Sequence, residues 1–226
     1  MKKDLTELIL VVDRSSSMSD ARMITVSGLK EFLNTQKQLP GEALLSYITF
    51  SSDYKVELAG KNIKDVSDSI FDSYIPAGMT ALLDAVGVSI DSVGKRLADM
   101  PEEERPEKVM MIILTDGEEN SSREYKLDQI KEKVKHQETN YKWEFLFLGA
   151  DIDAISAGSS ISMSKSVKLN KFDMVANMSK ATAYSGSFRG SDLSDVKSKF
   201  NTMSTNYFSL SDDDVKTEIE NLKNDK

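Results

Sequence analysis

Apolar residues along this chain follow two patterns, which alternate up to about residue 186. Short and nearly continuous runs of Leu, Ile, Val and Phe are typical of strands that are buried on both faces of a sheet. Longer segments with apolar residues at helical spacing are typical of helices with one buried face. Ser19 and Asp20 have side chains that can cap the first of these helices. The patterns predict strands at residues 8–12, 43–50, 109–114 and 143–148, and helices at residues 21–38, 81–100, 125–136 and 171–184.

Three shorter segments complete the order of elements. Residues 54–58 alternate between polar and apolar positions, as a half-exposed edge strand does, and residues 51–53 can join them to the preceding strand as a hairpin. Residues 66–71 fit a short amphipathic helix, and residues 166–169 fit a short last strand. This order predicts an α/β fold: a doubly wound, mostly parallel central sheet with one antiparallel edge strand and helices on both faces.

The last part of the chain differs from the rest. Residues 187–226 are rich in Ser, Asp, Lys and Asn and poor in large apolar side chains. Asp212, Asp213 and Asp214 can cap a final helix over residues 215–222. An earlier helical stripe is possible at Phe188, Leu193, Val196 and Phe200. We therefore predict a domain over residues 1–186 and a polar C-terminal extension over residues 187–226, which is partly helical or mobile.

Composition limits the classes of function that remain. The net charge of −8 disfavours direct binding of nucleic acid, because phosphate recognition needs clustered Lys and Arg. No apolar run approaches the roughly 20 residues that span a bilayer, and Asp4 and Glu7 argue against a signal peptide. The absence of cysteine excludes disulfides and thiolate metal sites. These features predict a cytoplasmic protein with neither a membrane nor a nucleic acid as partner, and they leave the oligomeric state open.

Oxygen-bearing side chains follow the first predicted strand directly. Asp13, Ser15 and Ser17 stand where the chain must turn from residues 8–12 into the first helix. The carboxyl ends of parallel strands are where α/β folds build their sites, and hard divalent cations prefer oxygen ligands. Two further oxygen donors, Thr80 and Asp116, lie in a loop and at the end of another predicted strand. We predict one divalent metal site at these five residues.

Each of the three motifs alone also has a simpler interpretation. Ser and Asp often cap helices, which would account for Asp13, Ser15 and Ser17. Thr80 could cap the following helix in the same way. Asp116 and the Gly after it could mark an ordinary turn. The occurrence of all three motifs in order, each after the right kind of element, favours the metal site.

With these motifs, the chain resembles the von Willebrand factor type A domain. The resemblance covers about residues 6–186 and rests on Asp13-x-Ser15-x-Ser17, on Thr80 in Gly-Met-Thr-Ala-Leu-Leu-Asp-Ala, and on Asp116 in Ile-Leu-Thr-Asp-Gly-Glu-Glu-Asn. These match the family's metal-ion-dependent adhesion site in order and in type. Residues 143–151, together with the lack of cysteine and of a secretory signal, are similar to a soluble bacterial or phage branch of the family.

The resemblance implies a function as well as a fold. In such sites the two serines and the threonine bind the cation directly, and the aspartates hold it directly or through water. Magnesium, or manganese at the same oxygens, would then keep one position open. Family members fill that position with a carboxylate of a partner protein. The resemblance therefore implies a binding module without catalysis, whose partner offers an Asp or Glu side chain or a C-terminal carboxylate.

A rival hypothesis is a metal-dependent phosphohydrolase or nuclease that uses Asp13, Asp116 and Asp151. Hydrolysis needs a general base or a second metal, and the sequence places no His or third carboxylate visibly for it. Enzymes with an Asp nucleophile usually carry a second acid two residues later, where this chain has Ser15. Asp151 and Asp153 also fit a helix N-terminus with acidic residues. A scaffold that persists without metal is a third possibility.

Overall fold

The structure, a computed structural model, describes residues 1–149, 161, 163, 166–168, 174–192 and 207–224. Six strands form one sheet in the order β3-β2-β1-β4-β5-β6. Every neighbouring pair is parallel except β2 with β3, which is antiparallel. The strands are β1 (Lys2–Asp13), β2 (Glu42–Phe50), β3 (Tyr54–Asn62), β4 (Pro106–Thr115), β5 (Glu144–Gly149) and β6 (Ser166–Lys168).

Helices cover the sheet on both faces. The α-helices are α1 (Arg22–Gln36), α2 (Leu82–Asp99), α3 (Leu127–His136), α4 (Met174–Gly190) and α5 (Asp212–Asn224). Shorter turns of 3-10 helix span Ser16–Ala21, Ile63–Asp65, Asp68–Ser73 and Glu102–Glu104, and a π-helical turn spans Gln137–Tyr141. Within the described part of the chain, no helix is both long and apolar enough to cross a membrane.

The central strand β1 shows why the sheet needs cover on both sides. Leu8 and Leu10 belong to the core on one face, which includes residues of α1, α4 and α5. Ile9 and Val11 belong to the core on the other face, which includes residues of α2 and α3. Successive side chains of a strand point to opposite faces, so a strand that is apolar throughout must be buried twice. The predicted fold class is confirmed.

Several predicted boundaries are wrong, and each error has a local cause. β1 begins at Lys2 rather than at residue 8, because pairing with β2 starts at Leu5 and Lys2 donates its backbone N–H to the Arg105 carbonyl. The first helix begins at Arg22 without a side-chain cap, because Ser19 donates to the Ser16 carbonyl inside the preceding 3-10 turn. The short amphipathic helix predicted at residues 66–71 is not present, and a 3-10 helix spans Asp68–Ser73 instead.

The C-terminal region packs onto the domain through α4. This helix runs to Gly190, so it crosses the predicted boundary at residue 187, and Phe188 is fully buried. Val215 and Ile219 of α5 are buried in the same core cluster as α4. Two predictions, the helix N-terminus at Asp151 and Asp153 and the stripe at Leu193, Val196 and Phe200, lie outside the described residues.

Two glycines of α2 should respond in opposite ways to alanine. At Gly94 a new Cβ would have its nearest neighbour at 3.9 Å, so Gly94→Ala should stabilise the fold by about 0.5–1 kcal/mol through helix propensity. At Gly87 a new Cβ would lie 2.5 Å from ring atoms of Tyr125. Tyr125 is held in place at both ends, because its hydroxyl donates to Asp91 at 2.7 Å and its backbone N–H donates to Asp84.

We therefore expect Gly87→Ala to lower the free energy of unfolding in urea despite its gain in helix propensity. The two variants control for each other, because they make the same change in the same helix. Equal stabilisation by both would show that the Tyr125 ring does not lie against Gly87 as described.

Candidate metal site

The site lies at the carboxyl edge of the sheet, where β1 and β4 end side by side. The parallel register pairs Val12 with Leu114, which brings Asp13 next to Thr115. Thr115 Oγ1 donates to Asp13 Oδ2 at 2.6 Å, and the Ser15 backbone N–H donates to Asp13 Oδ1 at 2.7 Å. The Asp13 carboxylate is therefore held in place from two sides.

Contacts between side-chain oxygens connect the turn after β1, here called the β1 turn, to the residue that follows β4. Ser15 Oγ and Ser17 Oγ are 2.9 Å apart. Ser17 Oγ donates to Asp116 Oδ1 at 2.5 Å. The turn that carries both serines starts directly after β1, so the serines of this motif face the residue that follows β4.

Thr80 completes the cluster from the loop before α2. A Cβ placed on Gly117 would lie 3.4 Å from Thr80 Oγ1 and 3.7 Å from Ser17 Oγ. The hydroxyls of Thr80 and Ser17 therefore approach the same point beside Gly117. The structure brings all five predicted residues to one edge: Asp13, Ser15, Ser17, Thr80 and Asp116.

The electrostatics of the cluster favour a cation. The pKa of Asp13 is raised from 3.8 to about 6: burial is the main cause and the nearby Asp116 adds to it, while the hydrogen bonds from Thr115 and Ser15 oppose the rise. Asp13 is fully buried and Asp116 is 7% exposed, whereas Ser17 lies exposed. A positive charge placed here would relieve the cost of two nearby carboxylates and would still be reachable from solvent at Ser17.

The donor set fits a hard divalent ion. It consists of two carboxylates and three hydroxyls, which are all oxygen ligands of the kind that magnesium and manganese accept. Nowhere among the described residues do three or more His, Cys, Asp or Glu side chains group in a way that could hold a metal. If each of these five side chains gave one oxygen, an octahedral magnesium shell would still have a position for a further ligand.

Sequence reasoning missed the residues that position Thr80. Asn120 Oδ1 accepts the Thr80 backbone N–H at 2.9 Å, and the Asn120 N–H donates back to the Thr80 carbonyl at 3.0 Å. Glu119 Oε2 accepts the N–H of Leu83 at 2.8 Å, in the first turn of α2. The signal was present as polar residues after the Asp-Gly pair, but only the folded chain shows that they reach back to Thr80.

The simpler interpretation of Thr80 as a helix cap is wrong. The N-cap of α2 is Ala81, which has no side-chain cap hydrogen bond. The first-turn N–H groups are accepted instead by Glu119 and by Ser122 Oγ, which lies 3.0 Å from the Asp84 nitrogen. For the rival enzymatic site, Asp151 lies outside the described residues. The single histidine, His136, ends α3 and lines a cavity of about 580 Å³ with Trp143 at the other edge of the sheet.

Comparison with known proteins identifies the family of this chain. The family model of the von Willebrand factor type A domain matches residues 7–153. No curated protein matches the chain. The fold and the site together define a class of protein: a doubly wound α/β domain with an oxygen cluster at the carboxyl edge of its sheet. The chain belongs to the von Willebrand factor type A domain family.

Solved structures share the fold at low sequence identity. Proximal thread matrix protein 1 from the mussel byssus has a TM-score of 0.59 and 15% identity over 80% of this chain and 47% of its own. The same protein with a zinc-occupied MIDAS motif has a TM-score of 0.57 and 17% identity over 80% of this chain and 46% of its own. A von Willebrand factor type A protein from Catenulispora acidiphila has a TM-score of 0.56 and 11% identity over 80% of this chain and 42% of its own. This chain therefore spans less than half the length of these structures.

Replacement of Asp13 should separate metal binding from folding. The folded-state pKa lies above the unfolded value of 3.8, so the stability of the metal-free protein falls as the pH rises from about 4 through about 6. At pH 7 this cost is on the order of 3 kcal/mol, at about 1.4 kcal/mol per pKa unit. Asp13→Asn keeps an acceptor and removes the charge. We expect it to raise the melting temperature of the metal-free protein at pH 7 by several degrees and to abolish magnesium binding.

The pH dependence is the control for this prediction. The stability difference between Asp13→Asn and the wild type should shrink towards zero at about pH 4, where the wild-type carboxyl is also protonated. Melting curves in EDTA at both pH values, with calorimetric magnesium titration, measure both effects. A variant that is less stable at pH 7 would contradict the electrostatic account.

Removal of the Asn120 side chain should weaken magnesium binding without unfolding the domain. Asn120→Ala removes the acceptor of the Thr80 N–H, while the exposed position of Asn120 keeps the core intact. We expect a several-fold weaker magnesium affinity by calorimetry and a nearly unchanged melting temperature. Asn120→Asp retains an acceptor oxygen and should restore the affinity. Unchanged affinity in Asn120→Ala would remove this residue from the site.

Proposed function

We propose that this protein is a metal-dependent protein-binding module of the cytoplasm that does not catalyse a reaction. Asp13, Ser15, Ser17, Thr80 and Asp116 would hold one magnesium or manganese ion. The partner would offer an Asp or Glu side chain, or a C-terminal carboxylate. The observation that carries the proposal is the cluster of three hydroxyls and only two carboxylates at an accessible edge of the sheet.

An open coordination position supports a carboxylate oxygen as the group that is recognised. Asp13 and Asp116 can offset a double positive charge, while the hydroxyls add no charge. When bound, the cation would supply an electrophilic centre with affinity for one more anionic oxygen, since magnesium exchanges a water for such a ligand. Zinc occupies the MIDAS motif of the mussel protein, but zinc sites usually use His or Cys, and this cluster has neither.

The surroundings of the cluster favour binding over hydrolysis. A general base must be able to accept a proton from water. The Glu119 carboxylate next to the site is already the acceptor for four donors: the N–H groups of Leu83, Ser121 and Ser122 and the Ser122 hydroxyl. Asp13 is fully buried and accepts two hydrogen bonds. Neither carboxylate is well placed to activate a water molecule.

The overall charge supports a protein partner rather than a nucleic acid. With a net charge of −8, the chain repels phosphate backbones, and binding of DNA or RNA needs clustered cations. The lack of cysteine fits the reducing conditions of the cytoplasm.

The proposal predicts that Thr80→Ala weakens both magnesium and partner binding. The change removes one hydroxyl of the cluster and leaves the cap of α2 untouched, because Thr80 does not cap the helix. Ser16→Ala is the matched control: Ser16 stands between the two site serines, lies exposed, and is the variable position of the motif. Pull-down from the native host in magnesium and in EDTA, with wild type and both variants, measures the effect.

We expect magnesium-dependent capture of a partner by the wild type and by Ser16→Ala, and loss of that capture in Thr80→Ala. The loss should appear mainly as faster dissociation, where most effects of interface substitutions lie. Capture that is insensitive to EDTA and to Thr80→Ala would place the contact elsewhere. Magnesium-dependent hydrolysis of a phosphoester that Asp13→Ala abolishes would establish the rival enzymatic function.

A further inference from the structure

Two large apolar side chains are exposed on a short loop beside the oxygen cluster. Ile75 is 63% exposed and Met79 is 52% exposed. Both belong to the segment of residues 75–79, here called the apolar loop, which ends directly before Thr80. Single exposed apolar residues are common on protein surfaces, but a pair on one loop that borders a binding site indicates a contact surface.

Hydrogen bonds to the backbone of neighbouring segments hold the apolar loop in place. Ala77 donates its N–H to the Arg14 carbonyl at 2.7 Å, and Ser16 donates its N–H to the Gly78 carbonyl at 3.0 Å. Met79 donates its N–H to Ser52 Oγ at 2.9 Å. The first two bonds tie the loop to the turn that carries the site serines, and the third ties it to the turn between β2 and β3. The loop is thus fixed by its backbone, while its side chains remain available.

The residue before this loop is anchored to the site as well. Tyr74 is buried, and its hydroxyl donates to the Asp13 carbonyl at 2.6 Å. Arg22 Nε donates to the Tyr74 carbonyl at 2.9 Å. A surface that is already ordered loses little conformational freedom on binding, so its apolar contacts contribute more of their burial to affinity.

Gly78 explains how the loop makes its tight approach. Its φ is +87°, a conformation that L side chains rarely adopt, and a Cβ there would lie 2.9 Å from Ser52 Oγ. The glycine therefore lets the chain pass close to Ser52 and deliver Met79 and Thr80 to adjacent positions. The exposed apolar residue Met79 therefore directly precedes Thr80, the proposed metal ligand, in the same turn of the backbone.

A second loop that borders the cluster is acidic. Residues 118–124, here called the acidic loop, carry exposed Glu118 and Glu124 and one basic residue, Arg123. The Asn120 contacts with Thr80 fix this loop against the site. A partner that approaches the cation therefore meets apolar side chains on one loop and negative charge on the other.

We infer that the partner segment carries an apolar side chain close to its metal-binding carboxylate and has no second acidic residue facing the acidic loop. This inference rests on the proposed function and names the chemistry of the partner. The apolar side chain packs on Ile75 and Met79. A second acidic residue opposite Glu118 is rejected by like charge, which acts against wrong partners more than it adds affinity.

A peptide display library with one fixed central Glu and random flanking residues tests this inference. It is selected on the immobilised full chain in magnesium and, in parallel, in EDTA. We expect magnesium-dependent enrichment of Leu, Ile, Met or Phe beside the fixed Glu, and depletion of Asp and Glu at flanking positions. The double variant Ile75→Ser/Met79→Ser should lose the apolar enrichment and bind enriched peptides roughly tenfold more weakly, as loss of central apolar contacts usually does.

Three controls make the outcome specific. Tyr141→Ser removes an apolar side chain of similar exposure, 61%, before β5 at the other edge of the sheet, and should leave the selected peptides unchanged. Glu118→Lys should remove the depletion of acidic flanking residues. Calorimetric magnesium titration of the Ile75/Met79 double variant should match the wild type, which shows that the metal site is intact.

The outcomes separate this inference from the proposed function. Magnesium-dependent selection of the fixed Glu without any apolar preference, or with the same preference in the double variant, overturns the inference and leaves the proposed function standing. Absence of any magnesium-dependent selection also overturns the inference, whereas the proposed function, which allows an Asp or a C-terminal carboxylate as well, is decided by the magnesium-dependent pull-down.

Discussion

The parallel pairing of β1 with β4 is the constraint on which the rest of this structure depends. Its register places the last residue of β1 beside the last residue of β4, so that Thr115 can bind the Asp13 carboxylate and Asp116 can reach Ser17. A shift of one residue would turn Asp13 to the other face of the sheet. Both strands are buried on two faces by apolar side chains, which makes this register the one that fills both cores.

The same arrangement has an electrostatic cost. Asp13 is buried at the end of an apolar strand and close to Asp116, and burial raises its pKa to about 6. The hydroxyl of Thr115 and the N–H of Ser15 offset only part of this cost. Sites that serve binding are often destabilising in the absence of their ligand, and here the large cores on both sides of the sheet compensate.

Two loops of different chemical character border the oxygen cluster. The apolar loop is tied to the β1 turn by backbone hydrogen bonds, and the acidic loop is tied to Thr80 by Asn120. Glu119 and Asp84 use their carboxylates to accept backbone N–H groups, so these acids stabilise the frame rather than the ligand. The contrast between an apolar and an acidic border is what would distinguish one carboxylate-bearing partner from another.

The sequence by itself determined the α/β order of elements, because continuous apolar runs and helical spacing report directly which faces must be buried. It also indicated Asp13, Ser15, Ser17, Thr80 and Asp116, because ends of parallel strands meet at one edge. Only the tertiary structure decided where β1 begins, how the first turn of α2 is capped, and that Asn120 holds Thr80. Those features depend on contacts between segments about 40 or more residues apart, such as Asn120 with Thr80 and Lys2 with Arg105. Local periodicity carries no information about such contacts, since they exist only after the two cores have brought the segments together.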